Sequence, residues 1–332
     1  MEFNWQFIGN QNAVAYLQNQ LANNRLAHGY LFCGPEQVGK RHLANIFINS
    51  LLCEAQDQIR PCNACRHCQQ LAKDIHPDIF WVKREEDKKD IWIDQVQELR
   101  NRLGMSTFLN SYKIAVVEDA DRLNRASANA LLKTLEEPAL KTILIFLTSK
   151  IGLLPATIVS RCQVLRFKPV ATSAIADYLI KRGAEHGQAE VIANLALGRP
   201  GLAVDLFQDE DWLAFYQEQV ERFLEISRSD ISRRFKEALV LAKEKESFSE
   251  NVTGLIATLN IWQSVWRDLI LIKTQSINLI KNVFVQKEME KLAGRYSLRQ
   301  LKDLILQAKE TQKYLKQNVN PQLALENLML NF

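Results

Sequence analysis

Residues 34–41 read GPEQVGKR: a glycine, four residues, a second glycine and a lysine, the spacing of a phosphate-binding loop. The loop follows an apolar run, YLFC (30–33), and opens a helical pattern from Lys40, which is the strand–loop–helix setting that the motif requires. Gly34 and Gly39 let backbone N–H groups turn toward phosphate, the helix amino terminus adds its dipole, and Lys40 reaches the terminal phosphates. The next position departs from the pattern. A hydroxyl there ligates magnesium in such loops, whereas Arg41 carries only donors and has no lone pair for a metal. The loop alone leaves two readings open: phosphate held with impaired magnesium binding, or a relic turn that binds nothing.

Working outward from the loop, apolar runs alternate with helical patterns through the first half of the chain. DIFWV (78–82) precedes a helix from about Asp94, KIAVV (113–117) a helix from about Asn124, TILIFLT (142–148) a short helix near Leu154, and QVLRF (163–167) closes the series. Short β-rich runs separated by helices predict a parallel sheet covered on both faces, with ligands at the carboxyl ends of its strands. The third run ends VVEDAD, which places Glu118 and Asp119 at such an end, where acidic groups hold magnesium and orient water. Their order is the reverse of the usual Asp then Glu. The reactive oxygen is thereby displaced by about one bond length, a misplacement that costs on the order of a hundredfold in rate.

After Pro169, where Ser173 is a candidate helix cap, the strand pattern stops. The predicted architecture is α/β then all-α: an α/β nucleotide-binding-like domain over 1–168, a small helical lid over 169–207, and a larger helical domain over 208–332. Trp212, Trp262 and Trp266 fall at helical spacing and are expected in its core rather than as base-stacking platforms. The mixed-charge run KREEDKKD (83–90) reads as an exposed loop.

The 332 residues carry a net charge of +4, too little to diagnose nucleic-acid binding. No run approaches the roughly 20 apolar residues of a membrane span, and the start, MEFNWQFIGN, has no secretory pattern, so a cytoplasmic protein is expected. Four of the six cysteines, Cys53, Cys62, Cys65 and Cys68, fall in the stretch CEAQDQIRPCNACRHC (53–68). C-x-x-C pairs bring two thiolates onto one ion within a tight turn, so four thiolates form a closed, structural zinc site, with an iron–sulfur cluster as the competing occupant. His67 lies inside the cluster but is surplus to a saturated ion. Cys33 and Cys162 read as buried small hydrophobes.

Longer words then become recognisable. RLAHGYLFCGPEQVGK, DADRLNRASANALLKTLEEP, ILIFLTS, LLPATIVSRCQVLRF and LALGRPGLAV occur in this order between about Ile8 and Ala203, and WRDLILIK and NPQLALENLML follow. The chain resembles bacterial clamp-loader subunits of the AAA+ family, and among them the delta-prime subunits of DNA polymerase III more than the ATP-hydrolysing gamma/tau type. The departures fall at catalytic positions: Arg41, the acidic pair Glu118 and Asp119, and Gly201, which stands where hydrolysing relatives carry a sensor arginine. The resemblance implies that Arg161, in SRC, reaches a neighbour's γ phosphate as an arginine finger in trans; a lone arginine there would otherwise read as a surface salt bridge. It puts Thr148 and Ser149 at a sensor position, with helix capping by Ser149 as the structural alternative. Glu136 and Glu137 end a helix; they are general-acid candidates by type but read as a solvated terminus.

The resemblance further implies a zinc module inserted after the first loop helix, ATP or ADP held weakly or without hydrolysis, and a helical collar over 208–332. The implied partners are gamma/tau and delta subunits in a hetero-pentamer, a sliding clamp, and primed DNA through the assembled complex, with no membrane. The competing readings are a self-sufficient gamma/tau-type ATPase, which the retained Lys40 and glycines favour, and a zinc-dependent nucleic-acid-binding scaffold, which leaves the ATPase words unexplained.

Overall fold

Strand β1 (Gly29–Cys33) is the axis of the first half, and every one of its residues is buried. In the computed structural model, which describes residues 2–55, 59–85, 88, 90–105, 112–243 and 248–332, it lies inside a five-stranded parallel sheet. The other strands are β2 (Ile79–Val82), β3 (Lys113–Val117), β4 (Thr142–Thr148) and β5 (Gln163–Arg166), in the order β2-β3-β4-β1-β5. Cys33 pairs with Thr148 on one side and Arg166 on the other, and Val117 pairs with Phe146. The chain leaves β1 and enters the sheet again at its far edge, so the carboxyl ends of β1, β4 and β3 flank the point where strand order reverses, the place where such sheets open a crevice.

The helices of this unit are α1 (Gln11–Ala22), α2 (Lys40–Leu52), α3 (Arg66–Ala72), α4 (Ile93–Gly104), α5 (Arg125–Glu136) and α6 (Ala156–Val159). Successive strand residues point to opposite faces. Tyr30 and Phe32 therefore pack with Leu17, Leu43 and Phe47 of α1 and α2, whereas Leu31 packs with Leu99 of α4 and Leu131 of α5. The two-sided cover explains why the strands are continuous apolar runs rather than alternating ones.

Beyond the sheet come α7 (Thr172–Lys181), α8 (His186–Ala196), α9 (Pro200–Gln208), α10 (Glu210–Arg228), α11 (Ile231–Ala242), α12 (Phe248–Lys273), α13 (Gln286–Ala293), α14 (Leu298–Lys316) and α15 (Pro321–Met329). Ser173 lies inside α7, which begins one residue earlier, so it is not the residue before the helix that the sequence suggested. By contacts the chain divides into two units, residues 1–175 with 198–202, and residues 176–197 with 203–332. The segment read as a lid, 169–207, contributes residues to both.

In the second unit α12 packs against α10, α13 and α14, and α11 against α15. Trp262 and Trp266, one helical turn apart on α12, are fully buried, and the ring of Phe223 lies 6.0 Å from the first and 5.3 Å from the second. Trp212 is half-buried and stacks on Tyr216 at 5.1 Å. All three tryptophans therefore pack against protein. Among the described residues no helix is long and apolar enough to cross a membrane.

Candidate functional site

The loop 34–39 joins β1 to α2 at the crevice. Gly34 donates its N–H to the Thr148 carbonyl at 3.2 Å, which ties the loop to the end of β4. A side chain at Gly34 is sterically barred, since a Cβ there would lie 2.5 Å from the carbonyl oxygen of Phe167. Lys40 turns back on its own loop and donates from Nζ to the Gly34 and Pro35 carbonyls, both at 2.6 Å. Burial lowers its ammonium below the ordinary value, opposed by Glu36, Asp119 and Asp121.

Arg41 and Glu118, which the sequence treats as separate departures, meet. Arg41 Nε lies 3.1 Å from Glu118 Oε1, in ion-pair distance though without hydrogen-bond alignment. The guanidinium carbon sits 4.9 Å over the Trp81 ring of β2. Burial raises the Glu118 carboxyl above its ordinary value, and Arg41 is the first influence opposing that rise. Asp119, next along, is exposed and takes a left-handed conformation at φ 46° as the chain enters the turn Ala120–Arg122.

Thr148 is buried at the end of β4 and donates its hydroxyl to Asp121 Oδ1 at 2.6 Å, while accepting from the Lys150 N–H at 3.0 Å. Its oxygen is thus engaged within the protein. The capping alternative for Ser149 is not seen, because the turn Ile151–Leu153 starts after Lys150 without a side-chain cap. Gly201 donates its N–H to the Gln37 carbonyl at 2.8 Å, and a Cβ there would stand 2.9 Å from the same oxygen. With Lys40, Arg41, Glu118, Asp119 and Thr148 it lines an open cleft of ≈ 500 Å³.

Arg161 stands apart from this cleft, in the short connection between α6 and β5. Its Nη1 donates to the Thr157 carbonyl at 3.0 Å, and its Nη2 pairs with Glu136 Oε1 at 2.6 Å, with 36% of the side chain exposed. Glu136, read from the sequence as a solvated helix end, is therefore the partner of Arg161. Sequence reasoning also passed over Asp121 and Trp81. Both lie in quoted words, VVEDAD and DIFWV, but their partners lie 27 residues away in one case and 40 in the other.

The four cysteines converge at the end of α2 and the start of α3, with sulfurs all within 4.8 Å of one another. A single tetrahedral ion with metal–sulfur bonds of about 2.3 Å needs ligand–ligand edges of roughly 3.8 Å, close to the 4.0 Å between Cys62 and Cys68. Backbone N–H groups already point at sulfur: Cys62 N at Cys53 Sγ, 3.4 Å, and Cys65 N at Cys62 Sγ, 3.3 Å. Hydrogen bonds from the Ala64 and Cys65 backbone bring the Cys62 thiol down to about 6, so it is readily a thiolate. The donor set fits a metal ion, and a saturated four-sulfur shell leaves no open position for chemistry.

His67 turns away from the sulfurs. Its Nδ1 lies 2.8 Å from His76 Nε2, and its Nε2 lies 3.2 Å from Glu54 Oε1. Because His76 Nδ1 accepts from the Asp78 N–H at 3.2 Å, His76 carries its proton on Nε2 and donates to His67, which in turn donates to Glu54. Burial, then the neighbouring His67 imidazole, push His76 down to about 4. Cys33 is buried, and Cys162 is only half-buried because it enters an edge strand. Of the mixed-charge loop, residues 86, 87 and 89 lie outside the described residues, while Arg84 and Lys88 are joined by a hydrogen bond at 2.7 Å.

Residues 9–171 match the family described as DNA polymerase III, delta subunit, and residues 233–332 match the one described as DNA polymerase III, delta subunit, C terminal. DNA polymerase III subunit delta' of Haemophilus influenzae is 32% identical over 235 residues, covering 70% of this chain and 69% of that protein. The subunit delta' of Bacillus subtilis is 27% identical over 314 residues, 95% of this chain and 93% of that one. A crystal structure of a DNA polymerase III gamma subunit-related protein from Thermotoga maritima shares the fold at 15% identity, with a TM-score of 0.51 over 97% of each chain. The chain therefore belongs to the DNA polymerase III subunit delta' family.

Proposed function

We propose that this chain closes the AAA+ ring of a bacterial clamp loader, beside gamma/tau and delta subunits, and lends Arg161 to the ATP site of a neighbour while the assembly opens a sliding clamp and sets it on primed DNA. The observation that carries this reading is a contrast between two arginines. Arg41 is tied inward to Glu118 at 3.1 Å, so the chain's own catalytic carboxylate is occupied by its own cation. Arg161 stands at the surface, held by the exposed carboxylate of Glu136, a partner that a phosphate oxygen can replace. Positive charge delivered in trans to a γ phosphate contributes about a thousandfold or more in rate. The chain's own cleft, with its acidic group engaged and its magnesium hydroxyl missing, then holds ATP or ADP with little or no hydrolysis. The four cysteines hold structural zinc between α2 and α3.

The test is reconstitution. In an assembled loader, Arg161→Ala lowers DNA-stimulated ATP turnover at the site it serves by about a thousandfold, and Lys40→Ala costs far less. The reverse ranking sinks the ring-closing reading and supports a self-sufficient gamma/tau-type motor.

A further inference from the structure

The cleft offers different terms to phosphate and to magnesium. For magnesium, the hydroxyl that would follow Lys40 is replaced by Arg41, Glu118 is paired with that arginine at 3.1 Å, and the Thr148 hydroxyl is given to Asp121 at 2.6 Å. A divalent cation entering beside Glu118 would meet a guanidinium already seated there, and like charges in a half-buried cleft repel. Phosphate meets the opposite situation. Lys40 uses two of its three protons on loop carbonyls and keeps a third. Among the described residues, only Nε of Arg41 is engaged by a carboxylate, which leaves both terminal nitrogens of a side chain that is 61% exposed. Trp81 lies beneath the guanidinium carbon at 4.9 Å, in cation–π distance.

We propose that this cleft binds the diphosphate or triphosphate chain of a nucleotide without magnesium, with Arg41, seated between Trp81 and Glu118, supplying the positive charge that a metal ion supplies in hydrolysing loops. A guanidinium neutralises phosphate charge and binds two oxygens at once, but it cannot activate a water or be exchanged on product release. Such a site retains nucleotide and does not turn it over. The inference rests on the reading that this cleft holds ADP or ATP, and not on Arg161 acting in trans, so either of those can fail while the other stands.

The experiment is calorimetric titration of the full chain with ADP, with pyrophosphate and with adenosine, each in excess EDTA and again in excess magnesium. ADP is expected to bind in EDTA within about threefold of its affinity in magnesium, and Arg41→Ala to lose about tenfold or more in EDTA, the loss of a charge-assisted contact. Arg41→Ser, which restores the hydroxyl and frees Glu118, is expected to bind ADP at least about tenfold better with magnesium than without. Pyrophosphate binding as tightly as ADP supports the site and assigns it to the phosphates alone; weaker pyrophosphate binding supports it and adds the nucleoside. The proposal is overturned if ADP and pyrophosphate give no heat, if adenosine binds as well as ADP, if wild-type binding requires magnesium, or if Arg41→Ala binds as tightly as wild type. Arg41 is exposed enough that its replacement leaves the core untouched, and circular dichroism of each variant confirms that the titrated protein is folded.

Discussion

Gly201 shows how a single missing side chain acts through geometry rather than chemistry. Its N–H and the Gln37 carbonyl are hydrogen-bonded at 2.8 Å, and even a methyl group at this position would meet that carbonyl oxygen at 2.9 Å. The glycine therefore lets the backbone at the start of α9 press against the phosphate loop. Gly201→Ala is expected to cost about 1–3 kcal/mol through forced backbone displacement, read as a lower urea midpoint at unchanged slope; an unchanged midpoint would show that the loop yields freely. The sequence makes Gly201 visible as a departure from a pattern. It does not show that the backbone has moved into the space, because that depends on where residue 37 lies. The same holds for Arg41. Its lack of a lone pair is legible from residue type alone, but its capture by Glu118 and Trp81 joins three segments that only the sheet brings together.

Among elements, the junction of α2 and α3 is the one most dependent on something other than apolar packing. Helix α3 has only seven residues, too short to be stable alone. It is joined to α2 by the cysteine cluster at one end, and by the His76–His67–Glu54 chain of hydrogen bonds, two buried imidazoles and a surface carboxylate, along its flank. Metal analysis of the purified chain is expected to find about one zinc per chain. Cys62→Ser, or a strong chelator, should remove it and lower the thermal midpoint, since the binding free energy of a structural ion is folding free energy. Iron in place of zinc would overturn the assignment. Spacing made the four cysteines legible at once, as thiolates three residues apart must face one point. The histidine chain was not, since His76 lies beyond the helix and its tautomer is set by the Asp78 backbone.

At the scale of the whole molecule, the second unit carries a buried carboxyl that no motif marks. Asp268 of α12 is fully buried and accepts at Oδ2 from the Lys281 and Asn282 N–H groups, both at 2.9 Å, and from Asn282 Nδ2 at 2.8 Å. Asn282 in turn accepts from the Tyr216 hydroxyl at 2.8 Å, so one network ties α10, α12 and the turn before α13. Burial raises the Asp268 carboxyl above its ordinary value, opposed first by the hydrogen bonds from Asn282 and Lys281. The folded chain thus holds this proton more tightly than the unfolded one. Its contribution to stability is complete below the ordinary carboxylate value and is lost as pH rises through the raised one. Between about pH 4 and about pH 7 the melting-temperature gap between wild type and Asp268→Asn should therefore move in the variant's favour; a gap that stays constant would show that the group does not titrate in this range.

What the sequence by itself determined were the properties that depend on spacing along the chain. Both faces of a strand must be apolar when both are covered, so KIAVV and TILIFLT read as strands of a covered sheet, and the five runs appear as β1 to β5 within a residue of their expected bounds. Loop geometry demands glycines at fixed offsets, and a four-thiolate site demands cysteines at turn spacing. Tertiary structure alone decided the contacts made across the chain: Arg41 with Glu118, Thr148 with Asp121, Arg161 with Glu136, and the two tryptophans of α12 with Phe223. The physical reason is range. Propensity and periodicity act over a few residues, whereas an ion pair or a ring contact requires two distant segments to arrive within a few ångströms; the order of strands brings them there in the first unit, and the packing of α10 on α12 does so in the second.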